Sequence, residues 1–199
     1  MKGVTVPADR VGKTLESGVF NGRPDWVRRP GKDCQTMRGK MEMASEHEYR
    51  VQALCTGPRK GVISAEAVSR TIPFSAPPEF LGEAGFWTPE HLLVASVVSC
   101  FVSTFSGMAE RSRFEFASFC LDAGGLLENE SGAWRFAEIK LSPNLTLLKE
   151  ADRERALRLL EKAEKSCLIA RSLQCKITMS ASIQIEEELV VTGAPPKAC

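Results

Sequence analysis

Apolar and polar residues alternate in the first regular segment of the chain, with the period of a half-buried β-strand. The apolar positions of that segment are Tyr49, Val51, Ala53 and Cys55. A turn with glycines and a proline follows at residues 56–61, and the strand pattern resumes at 62–63 and again at 71–74. These segments predict an N-terminal antiparallel meander, with Cys55 on its apolar face.

The same alternation returns in the second half of the chain. Phe136, Ile139 and Leu141 indicate one strand there. The longest alternating run has five apolar members: Ile177, Met179, Ala181, Ile183 and Ile185. Because nothing interrupts it, this run predicts a single strand over residues 177–185.

Two further segments have the period of a helix. The first begins at Thr88, a good N-cap, followed by Pro89 at the first helical position and Glu90 in the first turn. It runs to about Arg111, and apolar residues cover nearly its whole circumference. Most of its sides are therefore expected to be buried, with a partner subunit as part of the cover.

The second predicted helix runs from about Lys149 to Ser166. Its apolar residues lie on one side: Ala156, Leu159, Leu160, Ala163 and Cys167. The opposite side is charged, which is typical of a surface helix. The apolar stripe of this helix ends at a cysteine.

The two ends of the chain have neither period. Residues 1–44 contain scattered glycines and prolines and predict an irregular or disordered extension, and residues 189–199 predict a loose tail. Residues 45–188 are sufficient for one domain with its own core. Residues 1–40 carry nine Lys or Arg and four Asp or Glu, although the formal net charge of the 199 residues is only +1. The net charge of the extension is therefore positive and that of the rest of the chain is negative.

Composition argues against several functions. A net charge close to zero gives no electrostatic reason to expect a nucleic-acid partner. The sequence has no run of about 18 purely apolar residues and no apolar N-terminal signal, so we expect no membrane association and a cytoplasmic location. Seven cysteines without a C-x-x-C pair, and only two histidines, favour core residues or reactive thiols over metal ligands.

Four residues are candidates for chemistry, and each also has an ordinary structural explanation. Cys100 in the apolar helix and Cys167 at the end of the second helix suit small apolar residues of a core. Arg59 suits a solvated turn, and Glu90 suits the positive end of a helix dipole. A thiol becomes a nucleophile only as the thiolate, which a neighbouring cation stabilises.

Three groups of residues occur together in one known family. They are the turn Thr56-Gly57-Pro58-Arg59-Lys60-Gly61, the segments Pro77-Pro78-Glu79-Phe80-Leu81-Gly82, Thr88-Pro89-Glu90-His91-Leu92-Leu93 and Val98-Ser99-Cys100-Phe101, and the run Ala163-Glu164-Lys165-Ser166-Cys167. This arrangement resembles the OsmC/Ohr family. There a Pro-Glu dipeptide opens a long central helix, and the peroxidatic cysteine follows the glutamate by ten positions, as Cys100 follows Glu90. The resemblance covers residues 45–187.

The resemblance implies an α+β fold in which antiparallel sheet wraps around two central helices. It also implies an intertwined homodimer with active sites at the subunit interface. In such a site Arg59 stabilises the Cys100 thiolate, and Glu90 holds the Arg59 guanidinium. Peroxide oxidises Cys100 to a sulfenic acid, and Cys167 converts that group to a disulfide. The implied activity needs no cofactor.

The implied substrate is an organic hydroperoxide, and the implied reductant is a cellular dithiol, which in the Ohr branch belongs to a lipoylated protein. That branch usually has a histidine where Glu164 stands and Cys-Pro-Tyr-Ser where this chain has Cys167-Leu168-Ile169-Ala170. The chain therefore resembles the general OsmC-like branch more closely. The alternative is a non-catalytic OsmC-like protein that binds a hydrophobic small molecule at the dimer interface.

Overall fold

The computed structural model of the protein describes residues 46–186. The extension expected at 1–44 and the tail expected at 189–199 lie outside the described residues. The described chain contains seven β-strands, three α-helices and two single turns of 3-10 helix. The strands form two sheets, so the fold is α+β, as the resemblance implies.

The first sheet is the N-terminal meander that the alternation predicts. Its strands pair antiparallel in chain order: β1 (Val51–Gly57), β2 (Lys60–Ala65) and β3 (Val68–Ser75). Pro58 and Arg59 form the tight turn between β1 and β2. The meander joins the rest of the domain where the Ser75 backbone N–H donates to the Trp87 carbonyl oxygen at 3.0 Å.

The meander leaves much of its apolar surface uncovered by the described chain. Val51 is 71% exposed and Leu54 is 65% exposed. Cys55 is exposed as well; its place on the apolar face of the strand predicts a core residue, and that prediction is wrong. Alternation indicates which face of a strand is apolar, but it does not determine whether another element covers that face, and Cys55 stays exposed among residues 46–186. Val51 and Leu54 are three residues apart on β1, so the meander exposes apolar side chains on both of its faces.

The second sheet carries the core of the domain. Its strands are β4 (Ser118–Glu130), β5 (Ala133–Leu147), β6 (Lys176–Met179) and β7 (Ser182–Ile185). β4 and β5 form a long antiparallel hairpin, whereas β6 and β7 both pair parallel with β5. The antiparallel sheet that the resemblance implies is present in the meander and in the β4–β5 hairpin, and the two parallel pairings make the second sheet mixed. The chain leaves β5 and returns through helices, and such a crossover brings the next strand back in the same direction.

Two strand assignments from the sequence patterns also change. The run predicted as one strand over 177–185 is interrupted at Ser180 and Ala181 and forms the two strands β6 and β7. The patterns also missed β4, in which Gly124, Gly125 and several acidic residues weaken the strand signal. β4 forms because it pairs with β5 along its whole length.

α1 (Pro89–Ser112) begins where the sequence predicts. The Thr88 hydroxyl accepts a hydrogen bond from the His91 backbone N–H at 3.2 Å, and the Thr88 backbone N–H donates to His91 Nδ1 at 3.4 Å. These two bonds form a reciprocal capping box. One stripe of the helix is fully buried: Val97, Phe101, Phe105 and Ala109.

The remaining apolar surface of α1 is partly exposed. By length and composition, α1 is the one helix in residues 46–186 that could cross a membrane, a property that the sequence patterns did not reveal. Long central helices of soluble domains pass the same test. The buried stripe of α1 packs in the core of the domain, whereas 22% of its most apolar window is buried in all.

The second predicted helix starts a turn later than expected. A 3-10 turn at Glu150–Asp152 precedes α2 (Arg153–Ser166), and a short helix that the patterns missed, α3 (Leu168–Ser172), follows it. Cys167 separates α2 from α3 because its backbone is not helical, with φ −65° and ψ 110°. α2 buries three residues of its predicted stripe: Ala156, Leu160 and Ala163.

The core lies where α1 and α2 meet the second sheet. The β5 side chains in this core are Ile139, Leu141, Leu145 and Leu147. α1 packs against α2, against α3 and against β4. This packing gives α1 a fixed position relative to the segment that contains Cys167.

Gly125 on β4 tests how closely α1 and the sheet are packed. A Cβ atom at Gly125 would lie 2.6 Å from the Phe136 Cε1 and 2.9 Å from the Val94 Cγ2, whereas one at Gly124 would meet nothing within 4 Å. We expect Gly125→Ala to lower the free energy of unfolding by about 1–3 kcal/mol, because overpacking displaces neighbouring side chains. Urea unfolding measures this change.

The matched control is Gly124→Ala, which should change the free energy of unfolding by less than about 0.5 kcal/mol. Equal urea midpoints for the two variants would show that α1 and the sheet have room for the extra methyl group.

Candidate functional site

Cys100 lies on α1 between two members of its buried stripe, Val97 and Phe101. It is half-buried and packs against the core. The backbone N–H groups of Leu168 and Ile169, at the start of α3, hydrogen-bond the Cys100 sulfur. The first amides of a helix have no carbonyl partner within that helix, so the sulfur satisfies two of them.

Cys167 is fully buried at the break between α2 and α3. Two acceptors lie within reach of its S–H group, the Val97 carbonyl oxygen at 4.0 Å and the Cys100 sulfur. Both cysteines carry free thiols. The structure therefore brings Cys100 and Cys167 into contact.

The surroundings of Cys100 favour its thiolate. Burial alone would raise the pKa of the Cys100 thiol, but hydrogen bonds from four donors outweigh this effect and hold the pKa below the ordinary thiol value. The donors are the Ile169 backbone N–H, the Cys167 thiol, the Thr104 hydroxyl and the Leu168 backbone N–H. All four donors are neutral groups.

Cys167 has the opposite electrostatic character. Burial is the largest cause that raises the pKa of the Cys167 thiol, to about 11. The backbone N–H groups of Ala170 and Ile169 lower this pKa, whereas the hydrogen bond and negative charge of Cys100 raise it. Two touching titratable groups with pKa values displaced in opposite directions are characteristic of sites with divided chemical roles. Cys100 is suited to be the nucleophile, and Cys167 remains a protonated thiol at neutral pH.

Arg59 is exposed in the β1–β2 turn, at some distance along the chain from α1. Its backbone has the left-handed conformation, with φ 57°, and its carbonyl oxygen accepts a hydrogen bond from the Ala76 N–H at 2.8 Å. The Arg59 guanidinium has no ion pair or side-chain hydrogen bond with residues 46–186. Within one described chain, the arginine is therefore not brought to Cys100 or to Glu90.

Glu90 lies in the first turn of α1, away from the two cysteines. One carboxylate oxygen, Oε2, is buried and has no hydrogen-bond partner within the described chain. Glu90 borders a cavity of about 480 Å³ whose walls include an edge-to-face pair of rings, Phe80 and Trp134, with centroids 5.7 Å apart. Buried polar atoms are rarely left without partners, so this oxygen marks a place where a donor is expected.

The sequence patterns missed three donors of the site. Leu168 and Ile169 act through backbone N–H groups, and no side-chain motif signals that role. Thr104 does have a sequence signal, because residues four apart on a helix share a face and Thr104 follows Cys100 by four. The Arg59 guanidinium was expected beside the Cys100 thiolate, but in the described chain the hydrogen-bond donors at this sulfur are neutral groups.

The other described cysteines lie away from this pair. Cys175 is half-buried and lines a second cavity, of about 510 Å³, with Leu93 and Phe136. Cys120 is disulfide-bonded, so the expectation that such residues are core fillers or reactive thiols is wrong for it. Within residues 46–186, no group of three or more His, Cys, Asp or Glu side chains is placed to hold a metal ion.

Comparison with known sequences matches this chain to one protein family. Residues 82–182, about half of the chain, match the family model described as OsmC-like protein. The match includes α1, Cys100 and Cys167, whereas Arg59 lies outside it. The uncharacterized protein YmaD of Bacillus subtilis is 26% identical over 149 residues, which are 72% of this chain and 99% of that protein.

Comparison with solved structures gives the same kind of fold. An OsmC-like protein of unknown function from Vibrio cholerae has a TM-score of 0.62 at 19% identity, over 69% of this chain and all of its own. A structure from Legionella pneumophila, described as an organic hydroperoxide resistance protein, has a TM-score of 0.57 at 19% identity, over 71% of this chain and 99% of its own. At these identities the likeness shows that the fold is shared.

The two thiols should differ sharply in their reaction with iodoacetamide, which modifies thiolates. We expect Cys100 to be alkylated at about pH 7, because its pKa lies below the ordinary thiol value. Cys167 should stay unmodified until the pH approaches its pKa of about 11, because the thiolate fraction rises only as pH passes the pKa. Peptide mass mapping at stepped pH measures both reactions.

The control is the same mapping on the unfolded protein, in which the two cysteines should react alike. Equal rates in the folded protein would contradict the separation of their pKa values.

Proposed function

This chain belongs to the OsmC-like protein family, and on that basis we propose that it is a cysteine-based peroxidase that reduces organic hydroperoxides. The observation that carries the proposal is the contact between Cys100, with its lowered pKa, and the buried thiol of Cys167. The similar Legionella pneumophila structure, described as an organic hydroperoxide resistance protein, supports the same type of substrate.

The first step oxidises Cys100. The thiolate sulfur attacks the terminal oxygen of the hydroperoxide, the O–O bond breaks, and the sulfur becomes a sulfenic acid. The alkoxide leaves and takes a proton from water to form an alcohol. The hydrogen bonds of Ile169, Leu168 and Thr104 favour this step because they maintain the attacking thiolate at neutral pH.

The second step joins the two cysteines. The Cys167 sulfur attacks the Cys100 sulfenic acid, a disulfide forms, and the hydroxyl group leaves with the Cys167 proton as water. The negative charge of Cys100 contributes to the raised pKa of the Cys167 thiol, and oxidation of Cys100 removes that charge. Oxidation of Cys100 therefore makes the Cys167 thiol easier to ionise, while burial continues to raise its pKa.

A reductant must then regenerate both thiols. A dithiol attacks the disulfide, becomes a disulfide itself, and returns its two electrons and two protons to Cys100 and Cys167. Cys167 is fully buried and Cys100 is half-buried, so attack at the Cys100 sulfur is the more accessible route. A lipoyl group carried on a protein is one dithiol of the required type.

Arg59 and Glu90 enter the proposal through a second copy of the chain. The guanidinium has no side-chain partner in one described chain, and the buried carboxylate oxygen lacks one too. A charge-assisted pair between them would satisfy both groups and would place a cation near the thiolate. In this arrangement Glu90 and Cys100 of one site come from different subunits, because ten residues of helix span about 15 Å.

The meander supports a homodimer. Exposed apolar side chains lie on the same face of two of its strands, with Val51 on β1 and Ile72 on β3. In an intertwined dimer the partner subunit covers this surface and the exposed part of α1. Burial of apolar surface would then supply the free energy of association.

A non-catalytic binding protein is the second candidate, and the cavity next to Glu90 favours it. Phe80, Leu127 and Trp134 give that cavity an apolar wall suited to a hydrophobic small molecule. The two candidates differ in thiol chemistry. A peroxidase loses two thiols after one equivalent of an organic hydroperoxide, whereas a binding protein loses none.

The decisive variants exchange each active thiol for serine, which resembles cysteine in shape but forms no thiolate at neutral pH. Cys100→Ser should abolish reduction of cumene hydroperoxide. Cys167→Ser should bind one oxygen atom at Cys100 and a second under excess peroxide, because Cys167 is the thiol that contacts Cys100 among residues 46–186. Intact-mass measurement distinguishes these products from the disulfide of the parent.

Cys175→Ser is the matched control, because Cys175 is also half-buried but lies outside the pair. It should leave the activity unchanged. Activity of Cys100→Ser within a few-fold of the parent, or a parent protein that never forms the Cys100–Cys167 disulfide, would disprove the proposed cycle.

Subunit exchange tests whether Glu90 and Cys100 of one site come from different chains. Neither Glu90→Ala nor Cys100→Ser dimers should have full activity, whereas a mixed dimer should regain one intact site of the two. Exchange is confirmed by native mass spectrometry, and hydroperoxide reduction is then measured. A mixture with confirmed exchange and no activity beyond that of Glu90→Ala alone would mean that each site lies within one chain.

A further inference from the structure

The turn that contains Arg59 is tied to the rest of the domain by two contacts. The Arg59 carbonyl oxygen accepts a hydrogen bond from the Ala76 N–H at 2.8 Å. The next residue, Lys60, forms an ion pair with Glu83, with 2.7 Å between Nζ and Oε2. Both contacts join the β1–β2 turn to the segment between β3 and α1.

Gly57 determines where the Lys60 side chain lies. The two residues pair with each other across the β1–β2 ladder. A Cβ atom at Gly57 would lie 2.9 Å from the Lys60 Cε and 3.4 Å from its Cγ, so the methylene stem of Lys60 lies on the bare backbone of Gly57. A stem that is already packed loses less rotamer freedom in an ion pair than a free one.

Glu83 is fixed through a buried hydroxyl. Its backbone N–H donates to the Ser75 Oγ at 2.8 Å, and Ser75 is fully buried. The Ser75 backbone N–H donates in turn to the Trp87 carbonyl oxygen, directly before the N-cap of α1. The carboxylate that receives Lys60 therefore belongs to a segment that is fixed to the start of α1.

The two adjacent cations of the turn have different partners. Lys60 is paired within its own chain, whereas the Arg59 guanidinium has no ion pair or side-chain hydrogen bond with residues 46–186. The Lys60 ammonium neutralises the Glu83 carboxylate, which would otherwise attract the neighbouring guanidinium. Arg59 is thus left available to a group outside its own chain.

We propose that Lys60 and Glu83 are positioning residues, whose ion pair holds the Arg59 turn in place and keeps Glu83 from capturing the guanidinium. This inference rests on the role of Arg59 in the proposed peroxidase site. An exposed ion pair adds little to overall stability, but a displacement of about 1 Å in a group that acts on the reaction can cost about a hundredfold in rate.

The first measurement follows the turn itself and needs no activity. Lys60→Met keeps the stem and removes the charge, and Glu83→Gln removes the opposite charge. In both variants we expect the Ala76 N–H to exchange with solvent about two- to fivefold faster than in the parent, because the turn opens more often without the ion pair. Hydrogen exchange followed by NMR on the full chain measures this rate. Lys60→Arg should retain the parent rate.

The second measurement asks whether Lys60 acts through Arg59. Lys60→Met should lower kcat/KM for cumene hydroperoxide by about two- to tenfold, because Arg59 is then less well placed. In an Arg59→Gln background the same substitution should change kcat/KM by less than about 1.5-fold, since residues that act through one another are not additive. Lys60→Arg should restore the parent value in the chain with Arg59.

The matched control is Glu154→Gln, which breaks another exposed ion pair, that of Glu154 with Arg158 on α2 at 3.4 Å. It should change neither the exchange rate of Ala76 nor kcat/KM.

Three results would overturn the inference. They are an unchanged Ala76 exchange rate in both Lys60→Met and Glu83→Gln, an equal change in Glu154→Gln, and an equal loss of kcat/KM with and without Arg59. A parent protein that reduces no hydroperoxide would instead contradict the proposed function, and the exchange rate of Ala76 would still decide whether the ion pair holds the turn.

Discussion

The contact between the sulfur of Cys100 and the segment around Cys167 is the interaction on which the functional interpretation depends. It requires α1 to be held against α2 and α3, which the core stripes of α1 and α2 provide. It also requires the helical backbone to break at Cys167. That break buries one thiol and turns the first N–H groups of α3 toward the other.

One local geometry thus produces two different cysteines. Cys100 accepts several hydrogen bonds and is half-buried, so its thiolate is favoured despite partial loss of water. Cys167 is fully buried next to that negative charge, so it keeps its proton. Neutral donors are sufficient to separate the two pKa values within one described chain. A cation from a second chain would add to an effect that is already present.

The incomplete features of the described chain have a common explanation in a second subunit. The Glu90 oxygen is buried without a partner, the Arg59 guanidinium is exposed, and the meander exposes apolar side chains such as Leu54. A buried oxygen without a donor and apolar side chains in water are unfavourable, and the exposed guanidinium has no carboxylate beside it. Contact with another protein surface would supply a partner to each of these groups. The proposed homodimer accounts for them together.

The sequence by itself determined the features that depend on near neighbours. The capping residues from Thr88 onward located the start of α1, the period of three to four residues identified the buried stripe of α2, and alternation located the meander. The candidate cysteines also came from the sequence, through the family resemblance.

The tertiary structure decided what depends on distant residues. Strand direction in the second sheet, the exposure of Cys55 and the donors around Cys100 follow from how α3 and β5 meet segments far away in the chain. No local pattern encodes such contacts, because backbone N–H groups look alike at every position and gain a chemical role only when folding brings an acceptor to them.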